Sequence, residues 1–189
     1  MALKATIFKA DLQLSDLDRN YYASHNLTLA RHPSETDERL MVRLLAFALH
    51  ADEHLEFTRG LSASDEPDLW QTSATGEIDL WIDIGLPDAS RIRKACHRAR
   101  QVVIYCYGER AVQPWWQQLD GKLTRFENLT VRQLPPASTA ALVTLTARTM
   151  RLQCNIQDGL VWLGDERNGF SVDYQTLLAA HTQTSVARR

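Results

Sequence analysis

The sequence is poor in the residues that mark several protein classes. With 8 Gly and 6 Pro in 189 residues, it is neither collagen-like nor low in complexity. Its three cysteines, Cys96, Cys106 and Cys154, are odd in number, widely spaced and free of any CxxC pair. That pattern suits reduced thiols of a cytoplasmic protein better than a disulfide framework. The first thirty residues carry Lys4, Lys9, Asp11, Asp16, Asp18 and Arg19 and hold no apolar run long enough for a signal-peptide core. Nothing later approaches the length of a membrane span, so no membrane partner is expected. There is no Gly-rich phosphate loop and no nucleophile elbow. A net charge of −2 leaves no overall basic field for nucleic acid.

What is present is ordinary globular material, 44% hydrophobic and 23% charged. The length suits one domain spanning 1–189. Charge is unevenly placed. Between Ser34 and Asp83 twelve carboxylates face only Arg39, Arg43 and Arg59, and directly afterwards Arg91, Arg93, Lys94, Arg98 and Arg100 crowd together. An acidic stretch followed by a basic one suits a metal-dependent phosphodiester site, although two solvated faces of opposite sign would look the same.

Alternation over Ala5 to Leu14, and the β-branched and aromatic run from Tyr21 to Ala30, predict a β-hairpin across a polar turn. A helix should follow, with Ser34 as cap, Asp37 three residues on, and Glu35 and Glu38 at its positive end. Its apolar face would be Met41, Leu44, Leu45, Ala48, Ala51 and Leu55. Glu77 to Gly85 alternates strictly, placing Ile78, Leu80, Ile82 and Ile84 on one face and Glu77, Asp79, Trp81 and Asp83 on the other, where one of the two aspartates is expected simply to meet water. Pro87-Asp88 opens a second helix to about Arg100, and Val102 to Tyr107 reads as a central strand. A helix is expected from Pro114, a strand over Leu129 to Leu134, a helix from Ser138, and a hairpin about Asp158-Gly159. The tail after Ala180 should fray. The fold class is α/β, an α+β arrangement around a mixed sheet.

Aspartate is disfavoured in a strand interior, which singles out Asp83 near the end of its strand. Asp68 follows a proline, which fixes an extended approach. Two carboxylates converging from separate strands would suit Mg²⁺ or Mn²⁺.

Seven segments in order, Arg31-His-Pro-Ser-Glu-Thr, Phe57-Thr-Arg-Gly-Leu, Asp65-Glu-Pro-Asp, Asp79-Leu-Trp-Ile-Asp-Ile-Gly, Arg93-Lys-Ala, Trp115-Trp and Ile156-Gln-Asp-Gly, resemble the YaeQ family end to end. That family is similar in fold to the PD-(D/E)XK, or restriction-endonuclease-like, nucleases. The resemblance implies a helix–strand–strand–strand–helix–strand core over about 34–134, with an N-terminal β-hairpin and a C-terminal β extension. It places Asp68 and Asp83 as catalytic and metal-binding carboxylates, with Glu38 or Glu35 as the acid of the preceding helix. The motif lysine falls on Gly85 instead, so Lys94 is the implied replacement, with Arg91 and Arg93 behind it to bind substrate. A divalent-metal-dependent nuclease or phosphodiesterase is therefore expected, with nucleic acid as its partner. The alternative is a non-catalytic binding or regulatory module on a degenerate nuclease scaffold.

Two other signals carry less. His50-Ala-Asp-Glu-His54 fits the H-x-x-E-H zinc pattern, but a pair of exposed histidines at a helix end explains it more simply. Trp115-Trp116 could stack bases, yet such pairs more often anchor a helix.

Overall fold

The computed structural model describes residues 4–63, 65–119 and 121–181. Among these residues the chain forms two mixed β-sheets and four α-helices. The expected fraying tail lies almost entirely outside them. No helix among the described residues is long and apolar enough to cross a membrane.

The predicted hairpin is β1 (Thr6–Asp16) and β2 (Tyr21–Arg31). Its alternation buries Phe8, Ala10, Leu12 and Leu14. The C-terminal strands β8 (Thr149–Gln157), β9 (Leu160–Gly164) and β10 (Gly169–Val172) do not form a separate extension. β8 pairs in parallel with β1, so chain start and chain end build one sheet ordered β10-β9-β8-β1-β2.

The second sheet is ordered β11-β7-β6-β5-β4-β3. Its strands are β3 (Leu55–Phe57), β4 (Leu69–Thr72), β5 (Ile78–Ile84), β6 (Ala99–Cys106), β7 (Leu129–Gln133) and β11 (Gln175–Leu178). Between the sheets lies α1 (Asp37–His50), whose residues from Leu40 to Ala48 are buried all round, as a helix with apolar neighbours on every side requires. Leu80, Ile82 and Ile84 meet it from β5. Helices α2 (Ala89–Arg98) and α3 (Val112–Leu119) give the second core, with Trp81, Ile92, Ile104 and Val131, on the far face of this sheet. The short α4 (Pro136–Val143) adds Leu142 to the first core.

Three local expectations are corrected. The α1 cap is Thr36, whose hydroxyl accepts from the Arg39 amide, while Ser34 bonds to the His32 ring. Glu35 therefore stands before the helix and not in its first turn. On the second β5 face Asp79 is half-exposed, as expected of one aspartate, but Trp81 and Asp83 are buried where α2 covers the strand, so the acid near the strand end does not simply meet water. Finally, Ile78 packs with Trp81 and not with Leu80, where the β4–β5 register slips between Gln71 and Thr72.

Candidate functional site

Asp68 immediately precedes β4, the antiparallel neighbour of β5, which carries Asp83. Leu69 pairs with Ile82, so Asp68 and Asp83 come opposite each other one step further on, at the carboxyl end of β5. Both are 2% exposed. They line a cleft of about 410 Å³ together with Arg39, Arg91, Gly60 and Gly85.

The Asp68 carboxylate is held from two directions. Its Oδ2 accepts from the Ile84 amide at 2.8 Å and from Arg39 Nη2 at 2.9 Å. Arg39 Nη2 also stands 2.8 Å from Oδ1, but its N–H does not point there, and Oδ1 is buried without a hydrogen bond. A Cβ at Gly60 would come within 3.2 Å of that oxygen, and φ is +51°, so glycine suits the close approach. Arg39 donates onward to Glu35 Oε1 at 3.1 Å, and Arg43 donates to Glu35 Oε2 at 3.0 Å. Glu35 is thus the buried counter-ion of two α1 arginines. Glu38 is half-buried on α1 and is not among the cleft-lining residues.

Among the described residues Asp83 has a single oppositely charged partner. Arg91, in the first turn of α2, donates through Nε to Oδ2 at 2.9 Å and through Nη2 to Oδ1 at 2.8 Å, a two-pronged pair. Nη2 also donates to the Glu66 carbonyl at 2.8 Å. Burial above all, with the neighbouring Asp68 charge adding, pushes the Asp83 carboxyl above its ordinary range, and Arg91 opposes the rise.

Lys94 reaches the exposed Asp65 and is not part of the cleft lining. Arg93 points to the opposite side of α2, into a separate depression. Of the cations in the basic run, Arg91 is the one brought to the carboxylate pair. Gly85 lies in the cleft wall at φ +104°, a conformation that residues with a side chain rarely adopt. Trp115 supports the adjoining loop, its Nε1 donating to the Pro87 carbonyl at 2.8 Å, which is the anchoring role expected of the tryptophan pair.

Sequence reading missed Arg39. A usable signal existed, since an acidic stretch with three arginines should find partners for them within itself. Arg39 pairs with Glu35 and Asp68, Arg43 with Glu35, and Arg59 with Glu66.

No group of three or more His, Cys, Asp or Glu stands ready to hold a metal among the described residues. Mg²⁺, however, keeps several waters and needs only one or two carboxylates. Asp83 could meet that need once Arg91 leaves one of its oxygens, with Asp68 Oδ1, buried and 2.8 Å from Arg39 Nη2, beside it. The zinc pattern fails, because the His50 ring bonds the Tyr105 hydroxyl at 2.8 Å inside the molecule and only His54 is exposed. His50 is thus half-buried rather than exposed.

The profile of the YaeQ protein family matches residues 1–174. The chain is 52% identical over 173 residues to the YaeQ protein of Escherichia coli (strain K12), covering 92% of this chain and 96% of that one. It is 54% identical over 172 residues to the YaeQ protein of Salmonella typhi, covering 91% and 95%. The crystal structure of the YaeQ protein from Xanthomonas axonopodis pv. citri superposes with a TM-score of 0.89 at 52% identity, over 93% of this chain and 99% of the other. That from Pseudomonas syringae gives 0.88 at 36% identity, over 94% and 98%.

Proposed function

The chain belongs to the YaeQ family, and from that premise we propose that it is a divalent-metal-dependent nuclease or phosphodiesterase with a variant PD-(D/E)XK site. The observation that carries the reading is the meeting of Asp68 and Asp83 in one cleft. The order α1, β3, β4, β5, α2, β6 supports it, being the helix–strand–strand–strand–helix–strand order of such a core. So does Gly85, because a backbone at φ +104° accounts for the missing motif lysine.

Asp68 Oδ1 and one Asp83 oxygen would hold Mg²⁺ or Mn²⁺. When bound, the ion supplies Lewis acidity toward a phosphate oxygen and lowers the pKa of a bound water. Arg39 fixes Asp68, so the carboxylate keeps its place in the cleft. Arg91, released from one prong of Asp83, takes the cationic role that the motif lysine would fill and binds the phosphate. Trp115 holds the Pro87 wall against which the substrate lies.

The rival reading, a non-catalytic binding or regulatory module in the same groove, is favoured by one observation: each carboxylate already has an arginine. Mn²⁺-dependent cleavage of single- and double-stranded DNA and RNA, with Asp83→Asn in parallel, decides between them. Cleavage by the wild type and none by the variant is expected. No cleavage by folded wild-type protein, or equal cleavage by Asp83→Asn, sinks the hydrolytic reading.

A further inference from the structure

Helix α2 carries two stripes of cations with opposite fates. Arg91, Lys94 and Arg98 lie at helical spacing on the side facing the 65–68 loop, and that loop satisfies them. Arg91 takes Asp83 and the Glu66 carbonyl, Lys94 takes the Asp65 carboxylate, and Arg98 donates to the Asp65 carbonyl at 2.9 Å. The other stripe is Arg93 and His97. It faces the loop after α3, which presents Lys122 and Arg125.

Arg93, Lys122 and Arg125 rim a depression of about 230 Å³ whose wall includes Phe126. All three are exposed, and no carboxylate among the described residues pairs with any of them. The Arg125 guanidinium lies 4.9 Å over the Phe126 ring, and the His97 ring meets the same phenyl edge-on at 6.1 Å. Other arginines among the described residues also lack a carboxylate partner, but here three basic side chains converge on one depression, although the net charge of the chain is −2. Three converging unpaired cations repel one another, and a polyanion relieves that repulsion. Cations beside aromatic and guanidinium planes are what a phosphodiester strand with stacking bases requires.

We infer that Arg93, Lys122 and Arg125 form a contact surface for a nucleic-acid strand, distinct from the Asp68–Asp83 cleft and on the opposite side of α2 from it. The inference extends the proposed function by naming where the strand is gripped, but binding and cleavage are read separately.

The test is fluorescence anisotropy of a labelled single-stranded oligonucleotide with the full chain, in EDTA, across a salt series. The wild type should bind at low salt. The triple variant Arg93→Ser, Lys122→Ser, Arg125→Ser should bind roughly tenfold or more weakly, and its log Kd against log salt should flatten by about two, the share of three strand phosphates. Lys94→Ser, which removes a cation of the neutralised stripe, should stay within about twofold of the wild type. If the triple variant does not fold, Lys122→Glu alone should weaken binding and flatten its loss with salt. No wild-type binding, an unchanged Kd in these variants, or equal competition by polyglutamate overturns the inference. Binding without cleavage sinks only the hydrolytic reading; cleavage with unchanged binding by the triple variant sinks only this one.

Discussion

The two aspartates of the cleft share a strand pair and a degree of burial, yet they are held by different means. Asp68 is clamped by a backbone amide and by Arg39, which is 13% exposed and tied to Glu35 and, through it, to Arg43. Asp83 has, among the described residues, one salt partner, Arg91, which is 29% exposed and lines the cleft. The first arrangement cannot open without breaking a buried network. The second can exchange its partner for a ligand. A carboxylate pair with one fixed and one exchangeable half is what a site needs if a cation or phosphate is to enter and leave.

The largest effect should come from Arg39. Arg39→Met removes the cation between two buried carboxylates, and leaving such charges unpaired costs about 3–5 kcal/mol. Urea unfolding at neutral pH should report that loss, and the variant should be hard to express at physiological temperature. A loss near zero would mean that Glu35 and Asp68 find other partners, and that the fixed half is not fixed.

Much of this contrast was hidden from the sequence for identifiable reasons. The hairpin, α1, β5 and α2 were legible because their burial periods are regular. Asp68 and Asp83 were legible because a proline and a mid-strand acid are unusual in themselves. Glu35 was misread because a Thr two positions away from Ser34 caps equally well, and the choice turned a helix-end acid into a buried counter-ion. Lys94 was preferred to Arg91 on the strength of resemblance. The deciding fact is three-dimensional: the 65–68 loop lies beside α2 and takes Lys94 for itself. Nothing local in Thr149 to Gln157 says that it pairs with the first strand of the chain, since a parallel partner so distant leaves no mark on the alternation.

Arg91 sharpens the comparison from its other side. Arg91→Met should cost less than Arg39→Met, because it strips one buried carboxylate of its arginine rather than two. The same denaturation series measures it. A cost as large as that of Arg39→Met would make both pairs structural and would remove the exchangeable half.

The smallest effect is the most pointed, since it asks whether ionised Asp83 is a strain on the fold. Burial holds its carboxyl above the ordinary value of 3.8, so the folded chain binds this proton more tightly than the unfolded one. Its contribution to stability is therefore whole below 3.8 and is lost as pH rises through the raised folded value. Asn at this position has no proton to lose. The stability difference between wild type and Asp83→Asn should accordingly shift toward the variant as pH rises through that window, then stay level to neutrality. Paired urea midpoints over the acid range measure it, with every other titrating group common to both proteins. A shift toward the wild type would mean that Arg91 outweighs burial. Asp83 would then be as settled as Asp68, and the cleft would have no half free to exchange.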